Sequence, residues 1–384
     1  MKLKTKQQLD NFLGKALVAI HLPIVKLLGK LLHINHKLKN PPREILIIKM
    51  LGFGSLLLST DGLLALKKKY PNAKLTLIGT SGIEEGARLL SLFDHFLIID
   101  DSSFFKLLKS SFKVVFYCLS NRNKWCFDFE VYSRLTTLFA LYTFSKNRFG
   151  FEFEKVNFRN YLNTHNTYFN HFVPTEENYN AMVQMAGAEV NEQYVLLQSS
   201  SLPNDKNCIV INNTCSTLSL QRKLDDDQLL NLIEELIKNG HEKMVLLGAP
   251  NDQAMNQNLI EQLPKETQSK VENWAGKYSF EAMIKQQAMH AKAIITIDSA
   301  PLHIAARLNF PMVAIWGPTQ SQTLAPLWLR ERKNYAEINH HVHCSPCVHH
   351  TKELPCKGNN FCIKEISTQE IIQALNRILD ERLS

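Results

Sequence analysis

The apolar run Ile294-Ile295-Thr296-Ile297 stops at Asp298-Ser299, and the helix-forming stretch Ala300-Pro301-Leu302-His303-Ile304-Ala305-Ala306 starts at once. A second apolar run, Val313-Ala314-Ile315-Trp316, then ends on Gly317-Pro318-Thr319. Burying two such runs on both faces calls for neighbouring parallel strands with a helix packed across them. A strand that ends on an acid and a hydroxyl aims the unpaired N–H groups of the next helix at the sheet edge, where a diphosphate or sugar can accept them. The same residues also suit an ordinary Asp/Ser helix cap. The Gly317-Pro318-Thr319 turn favours the ligand site, because it supplies a second loop on the same edge.

The alternation recurs along the chain. Glu44–Leu51 reads as a buried parallel strand, Gly52-Phe53-Gly54-Ser55 as a turn, the pattern through Leu66 as a helix and Lys74–Gly79 as the next strand. Phe96–Asp100, Lys113–Tyr117 and Trp125–Glu130 continue as strands, the last ahead of a helix that Ser133 can cap. Residues 151–205 are rich in Asn, Thr, Tyr and Ser and read as a linker region with one helical stretch, Glu176–Met185. A second cycle opens at Cys208–Asn212. It continues through a helix from Asp225 to Asn239 ended by Gly240, the strand Met244–Gly248, further strands near 270–271, 293–297 and 311–315, and a closing helix over Thr368–Arg382. The pattern predicts an α/β fold with two Rossmann-like domains facing a central cleft. The expected parts are a basic segment over 1–42, a first domain over 43–185, a linker over 186–205, a second domain over 206–366 and a final helix over 367–384.

Charge is concentrated at one end. Residues 1–40 hold eight lysines against the single acid Asp10, which accounts for +7 of the formal net charge of +8, so a general nucleic-acid-binding surface is excluded as an expectation. Lys15, Lys26, Lys30, His33 and Lys37 share one helical stripe, with Phe12, Leu13, Leu17, Ile20, Leu27, Leu28, Leu31 and Leu32 largely elsewhere. A basic amphipathic helix of this kind lies on an anionic membrane surface, or packs on the protein itself. The longest lysine-free stretch, Ala16–Val25, contains His21 and Pro23 and is too short to span, and Pro23 is expected to start a second helical piece. No secretory signal is recognisable, which places the body of the protein in the cytoplasm, peripheral on the inner face of the membrane.

Of eight cysteines, Cys118, Cys126, Cys208 and Cys215 stand singly in or beside apolar runs and read as core thiols. Cys344, Cys347, Cys356 and Cys362 lie among several histidines at a spacing open to a structural zinc, to reduced thiols or to a disulfide. A catalytic metal is not expected there, because four thiolates would close the coordination sphere.

Several motifs in order resemble glycosyltransferase family nine, the ADP-heptose:lipopolysaccharide heptosyltransferases, over roughly residues 44–366. Tyr70-Pro71-Asn72-Ala73 resembles the family's Tyr-Pro-x-Ala turn and Asn273-Trp274-Ala275-Gly276-Lys277 its Asn-Leu-Ala-Gly-Lys turn. Asp298–His303 resembles its Asp-Ser/Thr-Gly-Pro-x-His motif, Trp316–Thr319 its Phe-Gly-Pro-Thr, and the Cys344–Cys362 pattern one that many members carry. The resemblance implies a GT-B fold and an inverting transfer of a heptose or similar sugar from a nucleotide-diphosphate donor, such as ADP-heptose, to a lipid-linked saccharide. No cofactor is implied for the catalysis. Such a transfer needs a carboxylate to take the acceptor's proton and positive charge for the departing diphosphate.

On the donor side the resemblance implies Thr214, Ser216 and Thr217 as phosphate-facing groups and Arg222 as the phosphate cation. It also implies Asp252, after Gly248, as the ribose acid, together with Asp298, Ser299, Ala300, His303, Gly317 and Thr319. The acceptor-side loop is Gly52, Gly54 and Ser55, and here the chain departs from the family, since many members carry Asp where Ser55 stands. A serine cannot serve as the base unaided. Glu130 is the preferred substitute, with Asp128 beside it and an ion pair with Arg134 as its alternative role, and Asp61 is the other carboxylate, two turns into the following helix and expected to lie deep. Two competing readings are a sugar-nucleotide epimerase on the same plan and an inactive binding or assembly protein that keeps the donor site, the latter favoured by Ser55.

Overall fold

The computed structural model describes residues 3–120, 123–197, 205–216, 219–348, 350–351 and 353–380. The chain forms two compact units, Met1–Tyr194 and Val195–Ser384. The first carries the strands β1 (Glu44–Ile48), β2 (Lys74–Thr80), β3 (His95–Ile99), β4 (Lys124–Asp128), β5 (Asn147–Glu152) and β6 (His165–Tyr168) in the sheet order β3-β2-β1-β4-β5-β6. The second carries β7 (Cys208–Asn212), β8 (Met244–Leu246), β9 (Val271–Asn273), β10 (Ala291–Ile297), β11 (Met312–Trp316) and β12 (Tyr335–Asn339) in the order β12-β11-β10-β7-β8-β9. Every pairing is parallel.

Both orders are that of a Rossmann fold. In each unit the strand order reverses at one place, between β1 and β4 or between β7 and β10, and helices leaving there diverge to opposite faces and open a crevice at the carboxyl ends. Ile48 pairs with Asp128 in the first unit and Thr296 with Asn212 in the second, so the residues just beyond them crown the two crevices. The inner strands are mostly apolar because both faces are covered: β1, β4, β7 and β11 are buried along their full length.

Local sequence sets the helix ends. Asp225 caps the Asp226–Lys238 helix through a reciprocal capping box with Gln228, and Leu229, Leu232, Ile233 and Leu236 pack that helix on the second sheet. Ser133 caps the Arg134–Tyr142 helix by accepting from Thr136 N.

Lys113–Tyr117, expected as a strand, lies inside the helix Phe104–Ser120. Its β-branched and aromatic residues favour a strand locally, but tertiary packing overrides them. Leu107, Val114, Tyr117 and Cys118 fall on one helical face and cover Leu46, Ile48, Ile78, Ile99 and Cys126. Much of the stretch 151–205 is not a linker. Phe151 and Glu152 belong to β5, β6 follows, and the helix Thr175–Met185 packs beneath the first sheet. Within 186–205, Tyr194 is tied to the first unit through N–H to Asp61 Oδ1 (2.7 Å) and its hydroxyl to the Leu90 carbonyl (2.6 Å). Leu196 N donates to the Arg307 carbonyl in the second unit, and residues 198–204 lie outside those described.

The N-terminal segment is one continuous rod, Leu3–Leu9, a π-helical turn over Asp10–Gly14, then Lys15–Leu32. Its Thr5–Leu32 stretch is long and apolar enough to cross a membrane, where the sequence had suggested pieces too short to do so. Pro23 does not start a new helix but sits inside Lys15–Leu32. Its ring removes the bond to the Ala19 carbonyl, and Ala19 is exposed, so water can take that acceptor. The helix ends at Leu32, with His33 at φ 44°, so His33 and Lys37 fall beyond the expected stripe.

One face of the rod is docked. Val18 is buried, and Leu17, Leu22 and Val25 are partly buried, against Leu138, Leu141, Phe158 and Leu162. Gly14 allows the approach, since a Cβ there would lie 2.8 Å from Arg134 Cβ. Asp10 anchors the rod, its Oδ1 accepting from Ser133 Oγ (2.6 Å) and Leu135 N (2.9 Å) and its Oδ2 from Arg134 N (3.1 Å). These N–H groups are orphan donors of the Arg134–Tyr142 helix, so the carboxylate also complements its dipole.

Candidate functional site

At the crevice of the second unit, Asn212 ends β7 and donates through Nδ2 to Ser299 Oγ (2.8 Å) and Thr296 Oγ1 (3.1 Å), while its Oδ1 accepts from Thr214 Oγ1 (3.0 Å). Asn212 was not among the sequence candidates, although an amide at the end of a buried strand was the available signal. Arg222 donates from Nη1 to the Asp298 carbonyl (2.7 Å), lies 3.6 Å from Asp298 Oδ2, and reaches Ser216 Oγ (3.4 Å) and the Ser219 carbonyl (3.2 Å). The fold therefore gathers Thr214, Ser216, Arg222, Asp298 and Ser299, from loops far apart in sequence, around one strand end. Thr217 lies outside the described residues.

The helix Ala300–Arg307 begins here. Ser299 makes no capping bond to it, and Pro301 stands in its first turn, where a missing N–H costs nothing. His303 is buried in that helix, and burial pulls its pKa down to about 4, helped by Arg307 and Arg222 and opposed by Asp298. At neutral pH its ring is uncharged.

Other donor-side candidates are placed differently. Asp252 Oδ2 accepts from Ala249 N (2.8 Å), which makes it a turn cap as well as a polar group on the loop after β8. Gly248 is required by packing, since a Cβ would lie 2.8 Å from Asp252 Cβ and 2.9 Å from Ala275 Cβ. Gly317 likewise leaves room for Ile363, whose Cδ1 would lie 2.5 Å from a Cβ there. Thr319 is buried, and its Oγ1 has no hydrogen-bond partner among the described residues.

The Cys344–Cys362 segment holds the Gly317-Pro318-Thr319 turn. Ser345 Oγ donates to the Gly317 carbonyl (2.5 Å), and Cys347 N and Val348 N both donate to the Pro318 carbonyl (3.0 Å). All eight cysteines are free thiols; Cys118, Cys126 and Cys208 are buried as expected, and Cys215 is only partly so. Burial, then the neighbouring thiols, pushes Cys362 up to about 11 and raises Cys347. Cys356 stands below the usual thiol value. Burial is the largest influence on it and acts upward, but backbone N–H groups of Asn360, Gly358 and Asn359 outweigh it. The four thiols are thus near one another, yet among the described residues no three of His, Cys, Asp or Glu are arranged to hold a metal ion.

In the first unit the crevice is occupied by an ion pair. Glu130, just past β4, accepts through Oε1 from Lys49 Nζ (3.1 Å), Met50 N (2.7 Å) and Leu51 N (3.0 Å). Its partner is Lys49, not Arg134, whose guanidinium instead stacks over Phe158. Lys49 went unnoticed in the sequence because it ends an apolar strand where a solvated lysine is the ordinary expectation. Burial, the largest influence on it, acts against its charge, but Glu130, Tyr179 and Asp128 together leave its pKa above the usual lysine value.

Asp128 is fully buried and supports this loop from beneath. It accepts from Thr136 Oγ1 and Thr137 Oγ1 (both 3.1 Å) and from Glu130 N (3.1 Å), and it lies 3.4 Å from the equally buried Arg159. Burial pushes its pKa up to about 6 against the pull of Arg159. Arg159 in turn donates to the Glu130 carbonyl (2.7 Å) and the Ser133 carbonyl (3.0 Å).

Gly52, at φ 80°, starts the short helix Phe53–Leu58, and Ser55 Oγ donates back to the Gly52 carbonyl (2.8 Å). Asp61 leaves the list of site carboxylates: it is buried in the helix Thr60–Lys69, where it accepts from Tyr194 N.

Comparisons with known proteins bear on the family and the fold. The chain is 34% identical over 96 residues to lipooligosaccharide heptosyltransferase 2 of Haemophilus influenzae, covering 25% of this chain and 27% of that protein. It is 28% identical over 148 residues to lipopolysaccharide heptosyltransferase 2 of Escherichia coli, covering 38% and 40%. The matched part of the chain thus spans well under half the length of these curated relatives. Among solved structures, the E. coli ADP-heptose lipopolysaccharide heptosyltransferase II superposes with a TM-score of 0.70 at 19% identity, over 89% of this chain and all of that one, which shows a shared GT-B fold. The sequence model of glycosyltransferase family 9 (heptosyltransferase) matches residues 154–357, more than half of the chain, and the chain belongs to that family.

Proposed function

We propose that the chain is an inverting glycosyltransferase that moves a heptose or similar sugar from a nucleotide-diphosphate donor to a lipid-linked saccharide of the lipopolysaccharide core or a related envelope glycan. The observation that carries this reading is the Arg222–Asp298 pair beside Ser299, at the uncapped start of the Ala300–Arg307 helix. A diphosphate placed there meets a guanidinium, the Thr214 and Ser216 hydroxyls and the positive end of a helix, which together stabilise the leaving group without a catalytic metal. His303, uncharged, acts there as a hydrogen-bonding group rather than a second cation.

On the first unit, Glu130 takes the proton from the acceptor hydroxyl. Three donors converge on its Oε1 and fix its orientation, which leaves the other carboxylate oxygen for the acceptor. Ser55 holds its own loop and takes no proton. The N-terminal rod keeps the enzyme on the cytoplasmic face of the membrane, where a lipid-linked acceptor lies. Its outward face carries Ile20, Ile24, Leu27 and Leu31 exposed beside Lys15, Lys26 and Lys30.

Nucleotide release from ADP-heptose, measured with and without a lipid-linked acceptor, tests the reading. Transfer requires acceptor, whereas acceptor-independent conversion of the sugar would identify an epimerase. Donor binding without any release would identify a binding protein.

A further inference from the structure

The helix Phe104–Ser120 carries a second, unpartnered apolar face. Val114 and Cys118 face the first sheet, while Phe105 (83% exposed), Leu108, Phe112 (60%), Phe116 (68%) and Leu119 recur at three- and four-residue steps on another side, open to solvent. Lys106, Lys109 and Lys113, all exposed, line one flank of that stripe, and the helix contains no acidic residue. The packed part of the N-terminal rod has the same three faces: one docked, one apolar and exposed, one of lysines. The two elements are also joined, because the Lys6 ammonium pairs with Asp101 in the loop that leads into Phe104.

A stripe of large aromatic side chains is not the surface of an ordinary solvated helix. We propose that the Phe104–Ser120 helix is a second membrane contact, lying in the plane of an anionic lipid surface with Phe105, Phe112 and Phe116 at the boundary between headgroups and acyl chains and its lysines against lipid phosphates. This rests on the membrane-surface reading of the N-terminal rod and deepens it. One helix leaves a protein free to roll about its axis on the membrane, whereas two attached to the same unit fix which side of the sheet faces lipid. The lysine flank and the absence of acid select an anionic lipid surface over an apolar protein groove.

The test is co-sedimentation of the full chain with phosphatidylcholine vesicles made with or without phosphatidylglycerol. The wild type should partition onto the anionic vesicles. Replacing Phe105, Phe112 and Phe116 together by Ser should lower the partition coefficient roughly tenfold or more while thermal unfolding is unchanged, because the side chains are exposed in the free protein. Lys106→Gln, Lys109→Gln and Lys113→Gln combined should weaken binding and reduce its salt dependence. A Phe112→Trp variant should gain fluorescence that brominated lipids quench. If the phenylalanine variant binds like wild type while Ile20→Ser, Leu27→Ser and Leu31→Ser combined abolish binding, the second contact is refuted and the rod's role stands. If wild type ignores both vesicle types, both fall. A phenylalanine variant that loses self-association and keeps its vesicle affinity would reassign the face to a second copy of the chain.

Discussion

The Lys49 ammonium lies 3.1 Å from Glu130 Oε1, across the place where the strand order of the first sheet reverses. Lys49 directly follows one of the two diverging central strands and Glu130 stands two residues past the other, so the pair marks the crevice that a Rossmann topology opens for a ligand. The corresponding place in the second unit holds Asn212 bonded to Ser299, with Arg222 on Asp298. The crevice of the first unit thus presents a carboxylate, and that of the second a guanidinium beside a helix N-terminus.

Glu130→Gln keeps the shape of the side chain and removes its basicity. Turnover with acceptor should fall by about 100-fold or more, while the thermal shift caused by the nucleotide-sugar donor stays as in wild type. Near-normal turnover would remove Glu130 from the role of base.

Arg222→Ala and Asp298→Ala should each weaken donor binding by about 10- to 100-fold, equivalent to roughly 1.4–3 kcal/mol, through loss of a charge-assisted contact or of the group that orients it. A titration of ADP-sugar by calorimetry checks this. Unchanged affinity in both variants would show that the diphosphate binds elsewhere.

His303 gives the second unit an acid-sensitive element. Its folded pKa of about 4 lies below the ordinary 6.5, so the unfolded chain binds the proton first as pH falls. Its stabilisation is complete above about pH 6.5 and is lost progressively down to about pH 4, a span worth about 3 kcal/mol. Asp128 works in the opposite sense, because its folded pKa of about 6 exceeds the ordinary 3.8, and lowering the pH between those values favours the folded form. Denaturant melts of His303→Gln and wild type at pH 7 and pH 5 should show the wild type losing more stability on acidification. Parallel losses would contradict the buried neutral histidine.

Asp128 and Arg159 are both fully buried. Asp128→Ala leaves the guanidinium without its counter-charge and should cost about 3–5 kcal/mol, whereas Asp128→Leu combined with Arg159→Met should recover much of that loss. Thermal unfolding reads both. A double variant no better than the single one would show that the hydrogen bonds from Arg159 to the Glu130 and Ser133 carbonyls, and not the charge pair, sustain the loop.

Asp10→Ala should lower stability by about 1–2 kcal/mol, because three donors at the start of the Arg134–Tyr142 helix lose their shared acceptor. Limited proteolysis should then cut within the N-terminal rod sooner than in wild type. Equal cleavage rates would show that the apolar contacts around Val18 suffice to dock it.

The order of the apolar runs determined the two α/β units, because strands buried on both faces must be nearly all apolar and helices between them must repeat every three to four residues. It also placed Asp298 and Ser299 at a strand end, since a polar group directly after a buried strand has few other places to lie. Val114-Val115-Phe116-Tyr117 prefers a strand when judged alone, yet it lies in the helix Phe104–Ser120. Only the sheet it covers decides which of those residues turn inward. The partners of Glu130, Arg222 and Asp10 were equally out of reach, since Lys49, Asp298 and Arg134 lie 81, 76 and 124 residues away from them. Composition and spacing report what a segment prefers by itself. Ion pairs, remote caps and the choice of which apolar face remains exposed arise only when the sheets assemble and bring distant strand ends and helices together.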